Sequence, residues 1–256
     1  MPLPLAGRGI LITRPAGQSA ALAAMVTENG GCPILFPVVE IADVEDSSAL
    51  TATIDALDRY DLAIFVSPTA VDKGWNAIHA RRRLPRHIKV AALGHSSARA
   101  LQRLGLDGVI APPEGADSES LLAVAELQNV RSLRIVIFRG VGGRDLLRQT
   151  LISRGATVDY AECYRRTRPD VDATAVVNAW TAGEVHAVVV TSGEGLRNLW
   201  EMLDAKGRAS LHETPLFVPH RRIADTAREL ELTQVVVTGA GDDATVRSLC
   251  AYFSMP

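Results

Sequence analysis

The chain contains an internal repeat, which limits the folds open to it more than any other feature of the sequence. The segment ILITRPAGQSAALAAMVTENGG matches a later segment, IVIFRGVGGRDLLRQTLISRGA. In this alignment Arg14 falls on Arg139, and Gly30 falls on Gly155, in both cases 125 residues further along the chain. Self-similarity on this scale indicates a duplicated structural unit.

Two further pairs of segments extend the repeat. DLAIFVSPTAV matches HAVVVTSGEGL and places Ser67 on Ser192, while VAALGHSSARALQRLGL matches LFVPHRRIADTARELEL and places Leu104 on Leu230. Short apolar runs alternate with stretches of helical periodicity, a pattern typical of parallel sheets covered by helices. The runs predict ten strands, over residues 10–13, 34–38, 62–66, 90–93, 108–111, 135–138, 158–163, 187–191, 216–218 and 235–238.

Composition excludes several classes of function. The net charge of −2 does not favour a nucleic-acid-binding protein. No apolar run reaches the roughly 20 residues that would span a membrane, and the N-terminus has no signal-peptide pattern. Three cysteines without metal-type spacing predict reduced thiols in the cytoplasm, and six scattered histidines predict no metal site.

The repeat leaves the boundary between its two copies open. The extended stretch FPVVEIADV follows the first unit, and AECYRRTRP occupies the equivalent place in the second. If both stretches cross between two lobes, one lobe is discontinuous; otherwise a simple cut falls near residue 130. Two lobes would leave a cleft between them, where the turns at the carboxyl ends of strands are the expected ligand sites.

These turns hold the candidate binding residues, and each also has a purely structural interpretation. The loop RGVGGRDLL predicts either a tight turn with glycines at positive φ or a carboxylate site flanked by Arg139 and Arg144. Ser67 and Ser192 are expected to cap helices, a geometry that would also direct free amides at an anion. His220 occupies the turn that matches the one after Gly94.

Tyr164 is the candidate for proton transfer. It is one of four tyrosines and lies in the stretch ECYRR, next to Arg165 and Arg166. A phenol stays protonated at neutral pH and can act as a general acid. The alternative interpretation is a half-buried tyrosine in a strand.

Taken in their order along the chain, the motifs resemble those of the uroporphyrinogen-III synthase family, and the resemblance extends over nearly the whole chain. The resemblance is carried by ITRP, FVSPTAV, the ALG turn, TSGE, IADTARELE and the long block LRIVIFRGVGGRDLLRQTLISRGATVDYAECYRR. Where the family often has Thr-Ala after the ALG turn, this chain has Ser97 and Ala98, which keeps the hydroxyl. Many members have serine at the position of His220, so the resemblance does not support a catalytic histidine there.

The resemblance implies an α/β fold of two similar lobes, each a parallel sheet covered by helices, joined by two extended linkers with a cleft between them. Residues 1–37 and 167–256 would form lobe 1, residues 41–163 lobe 2, and residues 38–40 and 164–166 the linkers. Tyr164 would be the catalytic residue. The substrate-binding residues expected from the turns and the resemblance are Arg14, Ser67, Gly94, Ser96, Ser97, Arg139, Gly140, Thr191, Ser192, His220 and Thr226.

The resemblance also implies the reaction. The family cyclises hydroxymethylbilane, a linear tetrapyrrole with eight carboxylates, to uroporphyrinogen III with inversion of ring D and loss of water, whereas uncatalysed closure gives the type I isomer. No cofactor, nucleic acid or membrane is expected, and the protein would act as a monomer; a transient contact with hydroxymethylbilane synthase is left open. The alternatives are a non-catalytic two-lobe binding relative and a flavodoxin-like or sugar-phosphate enzyme, which would need a phosphate loop that the sequence lacks.

Overall fold

A computed structural model describes residues 3–254 of the chain. Its strands are β1 (Gly9–Ile12), β2 (Cys32–Leu35), β3 (Glu40–Ala42), β4 (Leu62–Phe65), β5 (Lys89–Ala92), β6 (Arg134–Gly140), β7 (Thr157–Thr167), β8 (Ala187–Val189), β9 (Leu216–Val218) and β10 (Val235–Val237). Its α-helices are α1 (Ala20–Glu28), α2 (Ser48–Asp55), α3 (Pro68–His79), α4 (His95–Arg103), α5 (Ser118–Ala123), α6 (Leu146–Ser153), α7 (Thr174–Thr181), α8 (Gly193–Met202), α9 (Ala205–Glu213), α10 (Arg221–Glu229) and α11 (Asp242–Ser254).

The chain divides into two compact units. Unit 1 contains the residues up to Glu40 and those from Thr167 onwards, and unit 2 contains Ile41–Arg166. The chain passes between the units within two strands, since β3 contains residues 40 and 41 and β7 contains residues 166 and 167.

Unit 1 is a five-stranded sheet with the strand order β10-β9-β8-β1-β2, in which all four pairings are parallel. Apolar side chains of successive residues point to opposite faces, so Leu11 packs in one core cluster and Ile10 and Ile12 pack in the other. Helices α7, α8, α9 and α10 cover the first face, and α1 and α11 cover the second.

Unit 2 is built on the same plan. Its sheet has the strand order β3-β7-β6-β4-β5, and the pairs β7–β6, β6–β4 and β4–β5 are parallel. Phe65 and Phe138 stack on the face covered by α2, α3 and α4, with ring centroids 4.6 Å apart. Ile64 and Ile137 lie on the face covered by α5 and α6. Two mostly parallel sheets covered by helices confirm the predicted α/β class.

Two segments differ from the strand prediction. Residues 108–111 form only a single bridge, between Ile110 and Ala91, because Gly108 adopts φ +65° and two prolines follow at 112 and 113. Residues 40–42, for which no strand was predicted and of which only residue 40 falls in the expected linker 38–40, form the strand β3.

The edge strand β2 has a proline in its centre. The Cys32 amide donates to the Arg8 carbonyl, on the side of β1, so the next residue, Pro33, faces the outer edge. Proline has no N–H to offer there, which protects this edge from pairing with another chain.

Candidate active site

In unit 2, four predicted site residues lie in the last residues of four adjacent strands or just after them. Tyr164 lies in β7, Gly140 ends β6, Ser67 follows β4, and Gly94 follows β5. Because the strands are parallel, these turns lie at the carboxyl edge of the sheet, where α/β proteins bind their ligands.

The hydroxyl groups of Tyr164 and Ser67 form a pair. Their oxygens are 3.1 Å apart, within hydrogen-bond distance. The Tyr164 side chain belongs to the core of unit 2 and is only 2% exposed, whereas Ser67 is partly exposed. Ser67 also caps α3, since its Oγ accepts a hydrogen bond from the Ala70 amide at 3.0 Å. The prediction that Ser67 is an N-cap is therefore confirmed. Its hydroxyl also connects the buried Tyr164 phenol to the partly exposed turn.

Gly140 provides the space for the Tyr164 ring. A Cβ atom at position 140 would lie 2.7 Å from Cε2 and 2.8 Å from Cζ of Tyr164, which no real side chain tolerates. The register between β6 and β7 shifts between Arg139 and Gly140, so that Gly140 pairs with Tyr164, and the Val141 amide donates to the Tyr164 carbonyl. A side chain at position 140 would thus displace the ring that carries the hydroxyl.

Arg139 is buried and has partners within the chain. Its side chain is 8% exposed, its Nη1 lies 3.4 Å from Asp145 Oδ1, and its guanidinium lies over the Tyr160 ring at 4.4 Å. The Tyr160 hydroxyl donates to the same Asp145 oxygen at 2.9 Å. Burial raises the pKa of the Tyr160 phenol, and the bond to Asp145 raises it further. These contacts hold the loop after β6 against β7.

The loop between Gly140 and α6 adopts the tight turn that its glycines predict. Gly142 and Gly143 have φ values of +74° and +96°. Arg144, which was expected to flank a carboxylate site, instead makes two hydrogen bonds to Glu119, at 2.7 and 3.1 Å. Its guanidinium is therefore occupied by a carboxylate of the same chain.

The turn after β5 is packed against the segment that precedes α5. Gly94 begins α4 as its N-cap, and a Cβ there would lie 2.6 Å from Cβ of Ala116. Ser97 is buried and Ser96 is exposed. In the described structure no side chain caps this helix start, which leaves its first amides to solvent or to a ligand.

In unit 1, Arg14 forms an ion pair. It follows β1, and its Nη1 lies 2.6 Å from Oδ1 of Asp242, the first residue of α11. Both side chains are largely buried, with 16% of Arg14 and 24% of Asp242 exposed. The pair joins the turn after β1 to the glycine turn that precedes α11.

The other candidates of unit 1 lie after β8 and β9. Ser192 follows Thr191 and caps α8 by accepting from the Gly195 amide at 2.9 Å, as predicted. A Cβ on Gly193 would lie 3.0 Å from Thr226 Oγ1, so α10 packs closely on this turn. His220 is exposed and is the N-cap residue of α10, again without a side-chain cap in the described structure.

The repeat thus produces two kinds of helix start, each present in both units. Ser67 and its equivalent Ser192 are capped starts, whereas Gly94 and its equivalent His220 are uncapped. The partners Asp145, Tyr160 and Asp242 were not predicted, because no local pattern links them to Arg139 or Arg14. Among residues 3–254 no group of histidines, cysteines and acids has the arrangement of a metal site, and no helix could cross a membrane.

Comparison with known proteins places these features in context. A family model described as uroporphyrinogen-III synthase HemD matches residues 20–247. The chain is 35% identical to uroporphyrinogen-III synthase of Escherichia coli (strain K12) over 243 residues, which cover 94% of this chain and 99% of that protein. It is 34% identical to the protein of the same name from Salmonella typhimurium, with the same coverage of both chains.

Solved structures share the fold. A mutant uroporphyrinogen III synthase from the extremely thermophilic bacterium Thermus thermophilus superimposes with a TM-score of 0.64 at 21% identity, covering 94% of this chain and 96% of that one. Uroporphyrinogen-III synthetase from Helicobacter pylori 26695 superimposes with a TM-score of 0.60 at 12% identity, covering 96% and 99%. At these identities the likeness supports the architecture alone.

Proposed function

Because this chain belongs to the uroporphyrinogen-III synthase family, we propose that the Tyr164 hydroxyl, acting through Ser67, supplies the proton that releases water from its substrate. The chain is a cyclising hydro-lyase of tetrapyrrole biosynthesis that converts hydroxymethylbilane into uroporphyrinogen III with inversion of ring D. The family's chemistry begins with loss of the terminal hydroxyl, which leaves an electrophilic azafulvene. A general acid at that hydroxyl is therefore the first requirement.

The observation that carries the proposal is the 3.1 Å contact between the two hydroxyl oxygens, one on a buried ring and one on a partly exposed turn. Ser67 Oγ accepts from the Ala70 amide, and in the proposed relay it also accepts from the Tyr164 hydroxyl, so that its single proton is donated outwards. When Ser67 gives this proton to the leaving hydroxyl, Tyr164 replaces it and becomes a phenolate. The phenolate regains a proton when the cyclised product releases one, so the two hydroxyls return to their starting state.

We further propose that backbone amides bind the substrate carboxylates. The uncapped starts of α4 at Gly94 and of α10 at His220 leave N–H groups that favour an anion. The hydroxyls of Ser96 and Thr191 would add further donors, whereas Ser97 and Thr226 are buried and the Thr226 hydroxyl donates to the Arg222 carbonyl at 3.3 Å. Arg14 and Arg139 are held by Asp242 and Asp145, so they would fix the shape of these turns rather than bind a carboxylate as free guanidinium groups.

Holding the substrate in one conformation is the second task of the enzyme. Spontaneous closure yields the type I isomer, so the protein must keep the easier reaction from occurring while ring D is placed for attack. Orientation of this kind is worth several kcal/mol in general, of the order of 7–11 kcal/mol for the best intramolecular cases. Binding of many carboxylates at fixed helix starts would provide it. We also propose that the enzyme acts as a monomer in the cytoplasm, which sedimentation velocity and cell fractionation would test.

The test compares Tyr164→Phe and Ser67→Ala with the wild type on hydroxymethylbilane generated in situ, with the oxidised uroporphyrin isomers separated by chromatography. We expect both variants to lose about 10²–10⁴-fold in turnover, the usual contribution of a general acid. Tyr60→Phe is the matched control, since the Tyr60 hydroxyl donates to Asp159 and lies before β4, away from the carboxyl edge. Full turnover in Tyr164→Phe would reject the proton donor, and full turnover in Ser67→Ala would reject the relay.

A further inference from the structure

A hollow of about 670 Å³ lies in unit 2 beside the starts of α3 and α4. It is lined by Pro68, Ser96, Arg99, Gln102 and Arg103. Pro68 is the residue directly after Ser67, so the hollow adjoins the turn that carries the proposed proton relay. Pro68 and Ser96 follow two neighbouring strands, β4 and β5, at the carboxyl edge of the sheet.

The hollow is positively charged. Ser96, Arg99 and Arg103 are spaced three and four residues apart on α4, which places them on one face of the helix. Both arginines are exposed, and Arg103 Nε donates to the Arg99 carbonyl at 3.3 Å. None of the lining residues is acidic, and within residues 3–254 no ion pair involves either arginine. Two like charges four residues apart repel each other, a cost that an anion bound between them would remove.

The three arginines that the sequence predicts at other strand-to-helix turns have carboxylate partners within the chain. Arg14 is paired with Asp242, Arg139 is close to Asp145, and Arg144 is paired with Glu119. Arg99 and Arg103 differ from them because their guanidinium groups have no acidic partner in the part of the chain that the structure describes. A guanidinium with free N–H groups is the side chain best suited to grip a carboxylate by two hydrogen bonds.

We infer that Arg99 and Arg103 form a binding site for one carboxylate arm of the linear tetrapyrrole, with Ser96 and Gln102 as additional donors. The inference rests on the proposed function and assigns to this hollow one acetate or propionate side chain of hydroxymethylbilane. An arm anchored beside Ser67 limits which end of the substrate approaches the relay. The two arginines therefore determine how the substrate is oriented as well as how tightly it binds.

The experiment measures KM, kcat and the ratio of type III to type I product for the double variant Arg99→Gln/Arg103→Gln. A charge-assisted hydrogen bond is worth enough that its loss raises a dissociation constant about tenfold or more. We expect KM for hydroxymethylbilane to rise at least tenfold, kcat to change less than threefold, and the fraction of type I product to increase. Arg99→Lys/Arg103→Lys should restore part of the affinity, because lysine keeps the charge without the two-pronged geometry.

The matched control is Arg83→Gln/Arg86→Gln. These arginines line a different hollow, near Lys89 at the amino end of β5. Because two arginines are replaced in each double variant, both variants change the net charge equally. All four residues are exposed, so the thermal unfolding midpoint of both double variants should equal that of the wild type. If Arg99→Gln/Arg103→Gln has the KM of the wild type, or if KM rises equally in the control, the inference is wrong. The proposed function still stands in that case, provided that the wild-type protein produces the type III isomer. A wild-type protein that produces no type III isomer rejects both.

Discussion

Replacing Ser67 by alanine tests how the active site is tied to the stability of unit 2. The Ser67 hydroxyl makes two contacts, one with the Ala70 amide at 3.0 Å and one with the Tyr164 hydroxyl at 3.1 Å. The first caps α3, and the second is the described partner of a phenol oxygen on a side chain that is 2% exposed. Ser67→Ala therefore removes a cap and leaves a buried hydroxyl without its partner.

The two losses have separate magnitudes. An N-cap serine is worth about 1 kcal/mol, and an unsatisfied buried hydroxyl costs about 1–3 kcal/mol, so Ser67→Ala should lower the free energy of unfolding by about 2–4 kcal/mol. Tyr164→Phe removes the buried hydroxyl itself and leaves the cap in place, which should cost about 1 kcal/mol. The double variant keeps no orphaned group, so it should cost about 1–3 kcal/mol less than the sum of the single variants.

Urea denaturation followed by far-UV circular dichroism measures these differences. Ser192→Ala is the internal control, because Ser192 is the equivalent of Ser67 in the repeat and caps α8 through the Gly195 amide. It should cost only the cap, about 1 kcal/mol. If Ser67→Ala is no more destabilising than Ser192→Ala, or if the single variants are additive, the buried phenol does not depend on Ser67 and the reasoning fails.

Three other predictions concern the core of unit 2. Gly140→Ala places a Cβ 2.7 Å from the Tyr164 ring, so it should cost about 1–3 kcal/mol in urea denaturation and lower turnover in the isomer assay; Gly17→Ala, which has open space around it, should do neither. Burial raises the pKa of the Cys163 thiol to about 12, so mass spectrometry after alkylation at pH 8 should find exposed Cys32 modified and Cys163 intact. The unfolded chain loses the Cys163 proton above about pH 8.5 while the folded chain retains it, so the free energy of unfolding should fall by up to about 1.4 kcal/mol per pH unit between pH 9 and 12. Cys163→Ala should remove that part of the slope, and an unchanged slope would contradict the assignment.

The fold class could be predicted because periodicity and repetition are properties of the sequence itself. The run 216–218 matches β9, and the run 62–66 matches β4 to within a residue. The strand boundaries predicted from the sequence were wrong where strand pairing depends on a partner far away in the chain. Ile110 forms a single bridge, to Ala91, whereas residues 40–42 form a strand because they pair with β7 at the edge of the sheet. Short strands are specified by what they pair with more than by their own residues.

The site could be predicted in part. Ser67 and Ser192 are N-caps because serine followed by a helical pattern has a local meaning. The burial of Tyr164 could not be predicted from the sequence, because it results from the glycine opposite it in β6 and from the helices that cover β7. The ion pair of Arg14 with Asp242 joins distant segments and has no local signature either.

The order in which the sheet of unit 1 is completed has a consequence for synthesis of the chain. Strand β2 leaves the ribosome soon after β1, but the other neighbour of β1, strand β8, follows 177 residues later. At about 5–20 residues per second that delay is about 10–35 s, during which all of unit 2 is made and has time to fold. Pro33 blocks one side of the early β1–β2 ribbon. The other side stays open until β8 emerges, so the nascent chain is most exposed to wrong pairing along β1.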